Sequence, residues 1–229
     1  LEEGAKELLA PNFYDNNKEI RIPLDPTLSP QENSQKFFDR YGKLKRTAEA
    51  LDKLLQETKA EIDHLESIQN SLDIALSADD LVQIKQELTE YGFIKKNRSG
   101  KKEKIKSKPF HYLSSDGYDI YVGKNNYQND ELTFKFATGN DWWFHAKGIP
   151  GSHVIVKSEG KELPDRTFEE AAGLAAYYSK GRENEKVEID YVQKKQVKKV
   201  AGAAPGFVIY HTNYSMMATP SNQLEELPS

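Results

Sequence analysis

The chain reads as an α+β protein: a long coiled-coil helix and a short second helix, then a compact mixed α/β domain. Two changes of period carry that reading. Between residues 30 and 76 apolar side chains recur in alternating four- and three-residue steps, the heptad pattern of a helix with a seam. Beyond Phe110 the period shortens to alternation over runs of about five residues, separated by turn formers, as strands require. One alanine-rich helical stretch lies among those runs, which makes the second part α+β rather than all-β.

In order, residues 1–29 are expected to be irregular after a short helical start, because Pro11, Pro23, Pro26 and Pro30 break them. The seam follows, as Phe37, Tyr41, Leu44, Ala48, Leu51, Leu55, Thr58, Ile62 and Leu65, and resumes at Leu72 and Leu76. A helix over 30–76 would be roughly 70 Å long at 1.5 Å per residue. Ser77 with Asp80 has capping-box spacing and opens a second helix with the stripe Leu81, Ile84, Leu88, which Gly92 ends. That helix, completing a helical region over 30–92, is too short to cover the seam. The seam's partner is expected from an upstream arm, a second copy or another protein, and a chain opening on Leu1 favours the upstream arm. A basic linker spans 93–109. The α/β domain is expected over 110–220, with a tail at 221–229. Its strands are predicted at 118–122, 132–136, 142–146, 153–157, 187–191, 207–211 and 215–218. Thr167 and Glu170 predict a capped helix that Gly181 ends, thin enough at Ala171, Ala172, Ala175 and Ala176 to lie close to a sheet.

Composition narrows the chemistry. With no cysteine among 229 residues, disulfides and thiolate metal sites are excluded. No run is apolar enough to span a membrane, and no secretory signal opens the chain. The net charge of −4 is segregated: residues 95–108 hold eight cations, among them Lys101, Lys102 and Lys104, against Glu103 alone. That local +7 leaves −11 elsewhere and argues for a polyanionic partner at one place, though such runs are also common as solvated tethers. A second cluster, Lys194, Lys195, Lys198 and Lys199, precedes the glycine-containing turn 202–206 and suits phosphate contact.

The densest segment is DWWFHAKGIPGSHV, residues 141–154. Rings, His145, Lys147, His153 and the Pro150–Gly151 turn form a mixture suited to single-stranded RNA, and two histidines beside a lysine read as surface rather than core. Strand alternation puts Trp142 and Phe144 on one face, Trp143 and His145 on the other, so one pair is core and one tryptophan is free to stack. No nucleophile elbow, paired carboxylates, metal-ligand spacing or glycine-rich phosphate cradle is present. The expectation is a protein without a catalytic residue, metal or cofactor.

The strings VGKNNYQNDELTFKFA (122–137) and DWWFHAKGIPGSHV (141–154), then EEAAGLAAYYSK (169–180) and VEIDYVQKKQVKKVAGAAPGFVIY (187–210), resemble the RNA-binding NFACT-R domain. IPLDPTLSPQENSQKFFDRYGKLKR (22–46) resembles the entry to the coiled-coil middle region of the same NFACT family of ribosome quality-control factors. The resemblance implies binding of obstructed large ribosomal subunits through rRNA and tRNA, and support of untemplated alanine tailing of the nascent chain, in the cytoplasm. Bacterial members are also known as fibronectin- or fibrinogen-binding proteins, which implies the alternative of a host-fibronectin adhesin at the cell surface, reached without a sorting signal. By motif position it implies an RNA-binding surface of Lys124, Asn125, Asn126, His145, Lys147, Pro150, Gly151, Ser152 and His153, joined by Trp143 and bordered by the lysines of 194–199. Gly148 and Ala204 depart from the family pattern, which has an acidic residue and a lysine there.

Overall fold

The computed structural model describes residues 4–96 and 105–228; Lys101, Lys102 and Lys104 lie outside the described residues. The chain divides into two compact units, residues 1–60 and 61–229. No described helix is long and apolar enough to cross a membrane.

In the first unit, 1–29 is not irregular. β1 (Glu7–Asn12) and β2 (Lys18–Pro23) form an antiparallel hairpin, in register from Glu7 opposite Pro23 to Asn12 opposite Lys18. Its turn uses Asn16 and Asn17 at φ 49° and 59°, which asparagine tolerates better than most residues. Prolines are compatible because each strand of a two-stranded ribbon has an unpaired edge. α1 (Pro30–Ile74) begins with a capping box, in which Ser29 N–H donates to Glu32 Oε2 at 2.8 Å and Glu32 N–H to Ser29 Oγ at 3.3 Å. Its heptad seam is exposed, with Leu44, Leu51 and Leu55 each more than half accessible.

Within the second unit, the end of α1 buries a different face: His64, Ile68, Asn70, Ser71 and Ile74, while Leu65 and Leu72 of the seam stay exposed. α2 (Ala78–Glu90) has the expected Ser77–Asp80 capping box and stops before Gly92, which sits at φ 79°. A seven-stranded antiparallel sheet is built from β3 (Phe110–Leu113), β4 (Asp119–Val122), β5 (Trp142–Ala146), β6 (Val154–Val156), β7 (Val187–Gln193), β10 (Tyr214–Ala218) and β11 (Glu225–Glu226). Its order is β10-β7-β5-β6-β4-β3-β11, so the expected tail contributes an edge strand against β3. β8 (Val197–Lys199) and β9 (Val208–Tyr210) form a separate ribbon.

α4 (Asp165–Tyr177) covers one face of the sheet, and its alanines 171, 172, 175 and 176 are fully buried, as the thin-helix reading requires. Its ends differ from expectation. Pro164 precedes the helix without a side-chain cap, and Thr167 instead donates to Asp116 Oδ2 at 2.8 Å. Glu170 accepts from Ser115 N at 2.9 Å, so both residues tie α4 to the β3–β4 turn. The helix stops at Tyr177, short of Gly181, where an added Cβ would meet Val187 Cγ2 at 2.8 Å.

Residues 132–136 are not a strand. α3 (Asn126–Glu131), capped by Asn125, continues into a π-helical turn over Leu132–Phe136, closed by Ala137 N–H donating to the Leu132 carbonyl at 2.8 Å. Leu-Thr-Phe-Lys-Phe alternates like a strand, but the helix nucleated at Asn125 runs into it and decides the conformation.

Candidate nucleic-acid interface

Strand alternation on β5 is as predicted, and of the two tryptophans it is Trp143, named as a candidate for the RNA-binding surface, that is sealed. Trp143 is inaccessible, in a second core layer with Leu132, Ile155, Val192 and Val197, whereas Trp142 stays half-buried against Phe168 and Tyr191. Around Trp143 lie His145 (5.6 Å between centroids, 17°), His153 (5.1 Å, 78°) and Tyr210 (5.0 Å). The histidines are therefore part of a packed aromatic cluster, not of a cationic surface. Burial pushes His145 down to about 4, with the Gly151 backbone opposing, and burial and then His145 push His153 down to about 3. Both imidazoles are neutral at pH 7.

Asn126, Trp143, His145, Pro150, Gly151 and His153 do share one cleft of about 300 Å³. Its other walls include Asp63 and Glu66 of α1 and Phe207 and Tyr210. Neutral imidazoles and carboxylates make that cleft unsuited to phosphate. Its turn is held by Pro150, whose carbonyl accepts from Lys180 N at 2.9 Å, and by Gly151, bridged to Ser179. Ser152 is buried with its N–H donating to Tyr178 O at 2.9 Å, and its hydroxyl has no partner.

The remaining residues of the implied surface are engaged internally. Lys124 Nζ lies 3.4 Å from Asp80 and 4.3 Å from the Phe110 ring centroid. Asn125 accepts from Gln128 N at 3.0 Å and donates to Gln83 at 3.0 Å. Asn126 donates to Ser67 Oγ at 2.8 Å and to Glu87 at 2.9 Å, and Glu87, wholly buried, also meets His64 Nε2 at 2.8 Å. Burial pushes the Glu87 carboxyl up against those hydrogen bonds. Lys147 is exposed, and its 2.6 Å hydrogen bond to Glu188 holds its ammonium above the ordinary range. Thus Lys124, Asn125, Asn126 and His153 are structural, a correction whose cause is that buried polar side chains need partners and these have found them inside, His153 Nδ1 at 2.7 Å from Thr133 Oγ1. Trp143 and Ser152 are enclosed by packing instead, with the indole nitrogen and the hydroxyl left without a hydrogen-bond partner. The polar pattern that reads as surface is a network joining α1 and α2 to the sheet.

The lysine cluster fares differently. Residues 194–196 form a single 3-10 turn before β8, and Lys195, Lys198 and Lys199 are exposed. Lys194 and Lys199 place their ammonium groups 5.9 Å from the Phe134 ring centroid, and Lys199 pairs with Asp130. Lys195 and Lys198 have no carboxylate partner among the described residues. Backbone bonds from Lys194 N to Asp141 O (2.8 Å) and Lys195 N to Gly139 O (3.1 Å) hold the turn against the loop before β5. Lys157 reaches the same loop, bonded to Asp141 at 2.5 Å and 4.9 Å from the Phe136 centroid. Burial pushes Asp141 up, but the bonds from Lys157 and Thr138 outweigh it and hold the carboxyl below its usual range. Cations and part-exposed rings thus meet here, not in the Trp143 cleft. Phe134 and Phe136 are brought to this place by the π-helical turn, and Lys157 by the end of β6, a meeting that depends on long-range packing and not on any local pattern. Among the described residues no group of three His, Asp or Glu gathers to hold a metal.

Comparison with known proteins agrees with this architecture. Residues 1–107 match the family model of the NFACT N-terminal and middle domains, and 108–212 that of the NFACT protein RNA binding domain. The protein named Rqc2 homolog RqcH of Streptococcus pneumoniae serotype 2 (strain D39) is 42% identical over 95% of this chain and 39% of the relative. Its counterpart in Bacillus subtilis (strain 168) is 37% identical over 96% of this chain and 39% of the relative. The chain therefore spans about two-fifths of the length of these relatives. The solved C-terminal part of the fibronectin/fibrinogen-binding protein from Streptococcus suis superposes with a TM-score of 0.77 at 42% identity, covering 85% of this chain and 77% of that one. The chain belongs to the NFACT family, with its RNA-binding domain at residues 108–212.

Proposed function

We propose that this chain binds RNA through the lysine-bearing side of residues 108–212 and so takes part in ribosome quality control. The observation that carries the reading is that Lys195 and Lys198, exposed and without a carboxylate partner among the described residues, stand next in sequence to Lys194 and Lys199, whose ammonium groups lie 5.9 Å from the Phe134 ring centroid. Ammonium groups without carboxylate partners neutralise phosphates without first giving up an internal ion pair. The partners proposed are the large ribosomal subunit, its rRNA, and tRNA, in the cytoplasm. The chain itself performs no chemistry in this reading: untemplated alanine addition draws its catalysis from the ribosome, and this chain supplies binding.

Replacing Lys194, Lys195, Lys198 and Lys199 with glutamate tests it, by titrating rRNA and tRNA fragments over a range of salt. Affinity falls, and the slope of log K against log salt shrinks by roughly 0.7–0.9 for each phosphate that is no longer neutralised. Unchanged affinity and slope would overturn the reading. A second function, binding of host fibronectin at the cell surface, is supported by the name of the similar Streptococcus suis protein. Surface plasmon resonance against purified fibronectin at physiological salt tests it, and absence of a saturable response rejects it.

A further inference from the structure

Beside the lysine cluster, the face of the sheet opposite α4 carries a row of rings that neither the family motifs nor the charge pattern singles out. His111 on β3 and Tyr121 on β4 are direct cross-strand partners, stacked with centroids 4.3 Å apart at 8°. Phe136, from the π-helical turn, meets Tyr121 edge-on at 4.7 Å and is 41% exposed. Stacked cross-strand pairs are ordinary sheet packing, and a single exposed ring is ordinary surface. The combination here is different, because the row ends at a large exposed ring with a cation, Lys157, 4.9 Å from its centroid. The loop that anchors Lys157 through Asp141 also holds Lys194 and Lys195 by backbone bonds. The ring row and the lysine turn are thus anchored to the same loop, residues 139–141. A phosphate backbone needs the cations and unpaired bases need the flat faces, and a duplex, with its bases stacked inside, uses only the cations.

We propose that His111, Tyr121 and Phe136 are a stacking platform for unpaired bases of an RNA strand whose phosphates follow Lys195 and Lys198. The inference rests on the RNA-binding reading and adds to it the class of RNA, single-stranded rather than duplex.

The test compares a short unstructured polyuridine RNA with a blunt RNA duplex, each titrated against the full chain. Phe136→Ala, at an exposed position, weakens single-strand binding about tenfold, leaves duplex binding and the salt slope unchanged, and is rescued by Phe136→Trp. Tyr121→Leu gives the same selective loss, while Lys195→Glu with Lys198→Glu weakens both RNAs and flattens the slope. If the ring variants bind polyuridine like the unsubstituted chain, or lose both RNAs equally, the platform is wrong, and the lysine variants still judge RNA binding separately. If neither RNA binds even the unsubstituted chain, both proposals fall.

Discussion

His145 and His153 show how a residue's surroundings reverse its meaning. Each is held neutral by loss of hydration against the rings around Trp143, complete at His153 and partial at His145, which lines the cleft. Their folded values lie below the ordinary 6.5, so between 6.5 and about 4 the unfolded chain binds more protons than the folded one. Stability is therefore full above 6.5 and is lost as the pH falls through that window, by at most about 1.4 kcal/mol per pH unit for each histidine. His145→Gln is expected to make denaturant midpoints measured at pH 7 and pH 5 differ less than in the unsubstituted chain. An equal difference would show that His145 does not titrate in this way. Of the implied surface residues, Lys147 is exposed but paired, and His145, Pro150 and Gly151 line the cleft. The surface expectation fails at Asn125, Asn126 and His153 because a polar side chain looks alike in sequence whether its partner is water or a buried neighbour.

Among the elements, α2 rests on an aspartate with several duties. Asp80 accepts from Ser77 N at 3.0 Å, from Leu76 N at 3.1 Å and from Ser107 Oγ at 2.5 Å, beside Lys124. Burial pushes its pKa up, but the bonds from Ser107, Leu76 and Ser77 prevail and keep it low. Ser77→Ala removes only the cap hydroxyl and should cost about 1 kcal/mol in chemical denaturation. Asp80→Ala removes the one buried acceptor that Ser77, Leu76, Ser107 and Lys124 share and should cost clearly more; equal losses would mean that Ser107 and Lys124 gain nothing from it. The Ser77 box was legible because it is local, two residues three apart. The box expected at Thr167 and Glu170 has the same spacing, yet long-range partners at Asp116 and Ser115 claimed both side chains. Spacing states which bonds are available, and competition from elsewhere in the chain settles which form.

For the molecule as a whole, the end of α1 and all of α2 belong to the folding unit of the sheet. Ile74 enters the core beneath α4, Asn70 donates to Tyr178 O at 3.3 Å, and Gln83 and Glu87 bind Asn125 and Asn126. A fragment cut to 110–220 lacks these helices and β11, and the side-chain amides of Asn125 and Asn126 lose their acceptors Gln83, Ser67 and Glu87. It should unfold at a lower denaturant concentration than residues 61–229, followed by circular dichroism; equal midpoints would show that the helices merely lean on the sheet.

The order of residues along the chain was enough to fix the heptad rod, most of the strands, the alanine helix and the place of the lysines, because each depends on a period or a composition within a few residues. Packing alone assigned the rest: that Trp143 is sealed, that the signature asparagines face inward, that 132–136 coils and offers Phe134 and Phe136 to the lysines. These outcomes turn on which distant groups compete for the same bond or the same buried space, and a local pattern contains no record of that competition.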